Sequence, residues 1–432
     1  MIMHDESRAA EKPDHINSEG RVPVILLAIF LGLLYMTGPS AVPASAANIA
    51  AFALIGLSLH RLARNTRRRI DPRALAHLAI IPILVFGALY ARDQDYSLSI
   101  VRTATAVAIL VFALVIILDT PRLLELAVAS LVAAGIAMVF YLVASAGFAP
   151  IIAGLTTASR LGYEISQPNT VGHYAAVGAV AALHFAAQGG RLRSTVSGLS
   201  FTTLALVVVA SQSRRALLVL VLGGAIILGY RATREGRLLR WLTVGSAAMI
   251  GLWGLGLRAI EDGAGTRLES LLSFVPGGER ALSSSDLVRG ELIARGWDLF
   301  FDRPLMGHGT GEFRFLTGIS GRDEIASHNN FVELATNNGV LGLLAFYLPV
   351  LWLLIGLWRQ VRWQHGRLAL TLFALLFTNV VVTGMSAVTY TDRLSMVIYA
   401  VCAAFLLSAR SRAGGADVPR RQPTGVAVPT HG

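Results

Sequence analysis

Ser327-His328-Asn329-Asn330-Phe331-Val332-Glu333-Leu334-Ala335-Thr336-Asn337-Asn338-Gly339-Val340-Leu341-Gly342 lies where a long polar segment gives way to an apolar run. Its first half carries an imidazole, a carboxylate and side-chain amides; its second half opens a hydrophobic stretch that continues to about residue 357. In both directions from this point, long apolar runs alternate with arginine-bearing links. A chain written this way crosses a bilayer many times, and the quoted stretch sits at one membrane boundary.

Composition agrees. Of the 432 residues, 54% are hydrophobic and 15% charged, against about 25% charged in an ordinary soluble domain. The mean hydropathy is +0.61. The net charge of +11 comes almost wholly from arginine, because Lys12 is the one lysine. Nucleic acid is a poor explanation for that charge, which lies in short clusters between apolar runs, as positive-inside topology requires. A single cysteine, Cys402, lies within a late apolar run and excludes an intramolecular disulfide or a cysteine metal site.

Apolar runs fall at about 22–37, 46–60, 75–91, 100–118, 123–146, 170–187, 196–211, 215–230, 241–257, 338–357, 367–386 and 391–409. Each approaches the ~20 residues that span a ~30 Å hydrocarbon core. The expected fold class is an all-α polytopic membrane protein with about 12 transmembrane helices. Residues 1–20 are polar and no small-residue cleavage site follows the first run, so the first span is expected to stay. Most basic residues fall on one side if both termini are cytoplasmic, notably Arg61 to Arg73, Arg231 to Arg240 and Arg410 to Arg421. The chain then divides into a cytoplasmic tail (1–20), spans one to nine (21–257), a large outer loop (258–336), spans ten to twelve (337–409) and a Gly-, Pro- and Arg-rich cytoplasmic tail (410–432) expected to be disordered.

The outer loop is too long for a connector. Within it, residues 286–302 place Val288, Leu292, Ile293, Trp297, Phe300 and Phe301 at helical spacing, opposite Asp286, Arg289, Arg295 and Asp298. Such an amphipathic helix either lies in the outer interface with its aromatics down or packs on the spans. Pro304 to Gly311 follows, with three alternating glycines. Neither a preceding strand nor a following lysine accompanies them, so a phosphate cradle lacks its context, and a turn is the plainer reading.

His328 is the candidate catalytic residue. A neutral imidazole takes a proton from an attacking hydroxyl, and its ordinary pKa near 6.5 suits a general base. Alone, an interfacial histidine is more often a hydrogen-bonded structural residue. Ser213-Arg214-Arg215 forms an outward link that puts two arginines at membrane depth on the side opposite the positive bias. Cations there cost roughly 2.5–3.5 kcal/mol on insertion scales and usually mark a site or a partner. Guanidinium forks match phosphate oxygens two at a time; snorkelling to headgroups is the bland alternative. Arg289 on the amphipathic helix is a third candidate. Arg160, before Gln167-Pro168-Asn169, is a fourth, and its alternative is an ordinary surface residue.

Together, Pro168-Asn169, Ser213-Arg214, Arg289, Pro304 to Gly309 and the His328-Asn329-x9-Gly339-x-x-Gly342 pattern resemble, in order, the signature of the bacterial O-antigen ligase and polymerase superfamily. The resemblance covers about 160 to 345; the flanking spans match by hydropathy only. It implies a C-type glycosyltransferase-like membrane fold with a helical periplasmic loop, in the bacterial inner membrane. It further implies that a glycan leaves an undecaprenyl-pyrophosphate donor on the periplasmic face, with His328 as the catalytic residue and Arg214, Arg215 and Arg289 on the donor pyrophosphate. Asn329, Arg160 and Asn169 are possible supports. Arg214 and Arg215 both follow Ser213, and which takes the family role is open. The acceptor is the sugar core of lipid A in a ligase or a second lipid-linked glycan in a polymerase; a protein acceptor is a smaller possibility. No cofactor is implied, and no metal is needed where arginines hold the leaving charge, although Asp323, Glu324 and Glu333 leave a cation conceivable. A transporter or flippase is the rival of a different class, against which stand the missing half-to-half repeat and the polar residues gathered at one face.

Overall fold

The computed structural model describes residues 18–36, 41–64, 71–157, 159–162, 166–186, 190–234, 284–317, 327–364 and 366–416. The helices are α1 (Ser18–Tyr35), α2 (Ala41–Arg64), a 3-10 turn (Pro72–Ala79) running into α3 (Ile80–Leu89), α4 (Gln94–Ile117), α5 (Pro121–Ala146), α6 (Ala149–Thr156), α7 (Pro168–Ala186), α8 (Arg191–Ala210) and α9 (Arg214–Arg234). After 235–283 follow α10 (Ser284–Asp302), α11 (Phe313–Leu316), α12 (Asn330–Gln364), α13 (Arg367–Thr378), a π-helical turn (Asn379–Thr383) and α14 (Arg393–Ala416). The fold is that of an all-α polytopic membrane protein. Among the described residues, eight helices are long and apolar enough to cross a membrane, and Val22–Tyr35 and Arg367–Thr383 are shorter apolar helices. The expected ninth span, 241–257, and both tails beyond residues 18 and 416 lie outside the described residues.

Local chemistry starts the helices where the chain turns. Thr120 accepts the Leu123 N–H ahead of Pro121, and Asp93 accepts the Tyr96 N–H, each side chain satisfying an N-terminal amide that has no partner within its helix. The core centres on α7, whose small residues Ala175, Ala176, Ala179, Ala181 and Ala182 are fully buried. α5, α8, α9 and α13 pack around it. Close approach depends on missing side chains: a Cβ on Gly223 would stand 2.8 Å from the Val180 side chain. Large apolar residues such as Phe52, Phe140, Leu192 and Leu348 point outward, as a surface bathed in lipid requires.

The bundle has two unlike ends. At one, Arg61 Nη1 donates to Ile117 O, Arg231 Nη1 to Leu183 O and Tyr230 Oη to Val361 O. At the other gather the end of α3, the starts of α4, α7, α9, α12 and α14, and the whole of α10. There α12 is broken: Gly339 has φ 62° and ψ −159°, which splits it into a short helix 330–338 and a long one from 340. Broken helices leave amides and carbonyls without partners. Here the 304–309 segment supplies them: His308 N and Gly309 N donate to Thr336 O and Asn337 O at 2.9 Å each, while Val340 N and Leu341 N donate to Pro304 O and Leu305 O at 2.8 and 3.3 Å. A Cβ at Gly339 would land on the Leu305 carbonyl. The glycines of Pro304 to Gly311 thus belong to a turn docked on a helix break, with φ of 70°, 120° and 82° at Gly307, Gly309 and Gly311, a region that favours residues without a Cβ.

α10 forms as its periodicity predicts, ending before Pro304. Leu292 is buried against Val332 and Phe313, and Thr336 Oγ1 donates to Gly296 O at 2.9 Å. The helix therefore packs on α12, while Trp297, Phe301, Leu305 and Met306 stay exposed on its far side.

Candidate functional site

His328 is built into a tight loop at the mouth of α12. Its φ is 52°, a left-handed conformation uncommon for a residue with a Cβ. Ser327 spans it: Ser327 Oγ donates to Asn329 O at 2.7 Å and accepts from Asn329 N at 3.1 Å. Asn329 Oδ1 then accepts from Phe331 N and Val332 N at 2.9 and 3.2 Å, the geometry of an N-cap. So Asn329 supports the site by starting the helix behind it. Asn330 locks the loop from the other side, accepting with Oδ1 from Thr389 N and Tyr390 N and donating with Nδ2 to Tyr347 Oη.

The second wall is the turn between α8 and α9. Gln212 shares with His328 the distinction of a positive φ, 48°, and among the described non-glycine residues no other does. Gln212 Nε2 donates to Thr157 O at 2.8 Å, so the turn is tied to the end of α6. Arg160 Nε donates to Ser211 O at 3.3 Å and Nη2 to Asn169 Oδ1 at 2.7 Å. Arg215 Nη2 donates to Asn169 O at 3.0 Å. Arg160, Asn169 and Arg215 therefore form one structural unit. The Arg215 Nε is buried with no hydrogen-bond partner, which is costly for a charged donor.

Electrostatics joins the two walls. The His328 imidazole holds its proton less tightly than usual, first because its surroundings partly desolvate it and then because Arg289 and Arg215 repel the charged form. Desolvation and like charge both favour a neutral ring. Arg289, exposed on α10, also acts on Arg215. Between the adjacent arginines that the sequence left open, it is Arg215 whose field reaches His328; Arg214 is half-buried one residue earlier.

Two neighbours of Arg215, and two residues behind them, were not foreseen from sequence. Asp392 and Tyr174 act on it electrostatically, Arg393 acts on Tyr174 in turn, and Tyr35 stacks on Tyr174 with ring centroids 4.2 Å apart. Asp392 caps α14, accepting from Ser395 N at 2.8 Å and Oγ at 2.6 Å. A charged Asp392-Arg393 pair opening the apolar run 391–409 was the available signal, since ionisable residues at a span boundary seldom lack a partner. Glu333 is buried on the first turns of α12, hydrogen-bonded to Ser327 and Asn337; Asp323 and Glu324 lie outside the described residues. Among the described residues no three His, Cys, Asp or Glu side chains gather as metal ligands would.

What the arrangement offers is an imidazole whose surroundings favour the neutral ring, within the fields of two guanidinium groups, one of them with an unpaired buried nitrogen, at one end of a membrane bundle. No curated protein matches the chain. A family model described as O-antigen ligase matches residues 199–347, a stretch that holds Arg214, Arg215, Arg289, His328 and Asn329 and begins after Arg160 and Asn169. Over that stretch, about a third of the chain, this all-helical membrane protein is similar to the O-antigen ligase family.

Proposed function

We propose that this protein moves a glycan from an undecaprenyl-pyrophosphate donor to a hydroxyl of lipid A-core, at the periplasmic face of the bacterial inner membrane, without a metal and with inversion at the anomeric carbon. The observation that carries the reading is His328 held in a left-handed loop at the mouth of α12, where partial desolvation and the fields of Arg289 and Arg215 favour its neutral ring. In the reaction the bond from the anomeric carbon to the pyrophosphate oxygen breaks as the acceptor oxygen bonds to the same carbon from the opposite face. His328 takes the acceptor proton, a step typically worth 10²–10⁴-fold, and later releases it to water. Negative charge appears on the leaving pyrophosphate, and Arg215 and Arg289 stabilise it as it develops; preorganised donors at such a point are often the largest single contribution to rate. Arg160 and Asn169 hold Arg215 in place, and Arg214 lies next to it.

The side follows from the arginines. The bundle end opposite His328 carries Arg61, Arg64, Arg231, Arg234, Arg359 and Arg362, and positive-inside topology puts that end in the cytoplasm. Both termini then lie inside and His328 outside.

The test is a deletion strain whose lipopolysaccharide is run on a gel beside that of the parent and of a His328→Ala complement. Loss of all long glycan from lipid A in both, with polymerised lipid-linked glycan accumulating, is the expected result, a drop of about 100-fold or more in transfer. Lipid A-core capped by a single repeat unit would make the enzyme a polymerase instead. Normal ladders from a well-expressed His328→Ala protein would remove His328 from the chemistry.

A further inference from the structure

Glu333 is almost fully enclosed, 8% exposed, and a buried carboxylate is unfavourable unless hydrogen bonds replace its water. Both oxygens are engaged. Oε2 accepts from the Ser327 backbone N–H at 3.0 Å, and Oε1 accepts from Asn337 Nδ2 at 3.3 Å. Asn337 cannot turn over to answer differently, because its own Oδ1 accepts from Phe313 N at 2.8 Å. Ser327 is the residue whose hydroxyl straddles His328. The chain of contacts therefore runs from Phe313 through Asn337 and Glu333 to Ser327, and ends on a histidine held at φ 52°. A backbone kept in a sparsely populated conformation persists only where its surroundings over-determine it. An acid in the first turn of a helix is also favoured by the helix dipole, but that preference is met at the surface and needs neither burial nor Ser327.

We infer that Glu333, oriented by Asn337, is a positioning residue that holds the Ser327–Asn329 loop, and with it the His328 imidazole, in place at the mouth of α12. The inference rests on the reading of His328 as the proton acceptor. It also assigns the two asparagine-flanked halves of the motif a division of labour: Asn329 starts the helix, and Asn337, one turn later on the face of Glu333, sets the hydrogen-bond polarity of the clamp. Glu333→Gln breaks that polarity. The new amide still accepts from Ser327, but its NH2 faces the NH2 of Asn337. Asn337→Asp alone sets two carboxylates against each other. The double substitution Glu333→Gln with Asn337→Asp restores every bond, with donor and acceptor exchanged only between positions 333 and 337: the new carboxylate accepts both from Phe313 N and from the new amide.

The experiment uses the full chain in nanodiscs and two readouts. One is glycan transfer to lipid A-core. The other is the pH midpoint for reaction of His328 with diethyl pyrocarbonate, followed on the His328 peptide by mass spectrometry and independent of activity. The charged groups facing the ring are Arg215 and Arg289; loosening the loop lets the imidazole leave them and regain water. Glu333→Gln is expected to lower transfer about 10- to 100-fold, the scale of an ångström-level misplacement, and to raise the midpoint toward the ordinary imidazole value. The double variant is expected to restore both. Ser327→Ala, which removes only the hydroxyl bridge, is expected to move the midpoint in the same direction if Glu333→Gln fails to fold. An unmoved midpoint in the single variants, or a folded double variant as impaired as Glu333→Gln, would overturn the inference. Should His328→Ala keep its transfer activity, the general-base reading falls, while the midpoints still report on the clamp.

Discussion

The two ends of the bundle treat arginine differently. At the end away from His328 the cations are absorbed by the protein: Arg61 and Arg231 donate to carbonyls at or near helix C-termini, where the helix dipole favours positive charge. Arg193, Arg234 and Arg410 lie over the rings of Phe185, Tyr230 and Trp352. At the His328 end Arg314 likewise lies over the ring of Tyr96, but Arg215 starts a helix rather than ending one, against the dipole, with Arg289 repelling it. Positive charge that is consumed stabilises; positive charge that is assembled against its own preference is available to a ligand. The same residue type is thus held by carbonyls and rings at one end, while at the other Arg215 and Arg289 stand in each other's field.

Arg215→Ala against Arg231→Met breaks the comparison most sharply. Arg215→Ala should cut transfer by about 100- to 1,000-fold, the cost of removing one preorganised donor from a developing anion, with little loss of melting temperature. Arg231→Met should leave transfer per folded molecule near wild type and instead cost about 1–3 kcal/mol of stability by orphaning buried polar groups. Equal losses of transfer in the two would show that arginine plays one role throughout. A substitution at the helix break comes next. Gly339→Ala forces a Cβ into a left-handed backbone and onto the Leu305 carbonyl, so a loss of about 1–3 kcal/mol is expected, read as a lower unfolding temperature in detergent, whereas Gly56→Ala, with nothing near its Cβ, should not lower it. The smallest effect is on pH. Because Arg289 helps keep the His328 proton affinity low, the active neutral ring persists to lower pH than a free imidazole would. Transfer is lost as pH falls through the His328 pKa, and Arg289→Gln should move that acid limb to higher pH. A limb that stays put would separate Arg289 from His328.

Much of the fold was legible because lipid imposes a simple grammar: of the twelve apolar runs, the eleven that fall on described residues are helical, although α1 and α13 are shorter than the eight membrane-length helices and α7 is so rich in small residues that it is the centre of the packing rather than a lipid-facing span. The candidate site was legible where residue types are costly in context, as with Arg214, Arg215 and His328 at a membrane boundary. It was illegible where backbone does the work. Gly339-x-x-Gly342 reads as the opening of a hydrophobic helix, but its first glycine breaks one, and nothing in a one-dimensional pattern says that residues 304–309 complete the ladder. Asn329 read as a possible support, but that the support is a helix cap is a matter of backbone geometry. Asp392 lay hidden because a charge at the edge of an apolar run is easily counted as the edge itself.

The break at Gly339 makes the interval between it and His328 a measured standoff. Helix 330–338 is clipped at its far end to the 304–309 turn and carries the histidine loop at its near end. At 1.5 Å and about 100° per residue, its nine residues fix both the height of the imidazole above the membrane helix, roughly 13 Å, and its compass bearing. Lengthening the interval by one residue would lift the ring by only about 1.5 Å yet swing it by more than a quarter turn, so the spacing in the motif is first a setting of direction and only second of depth.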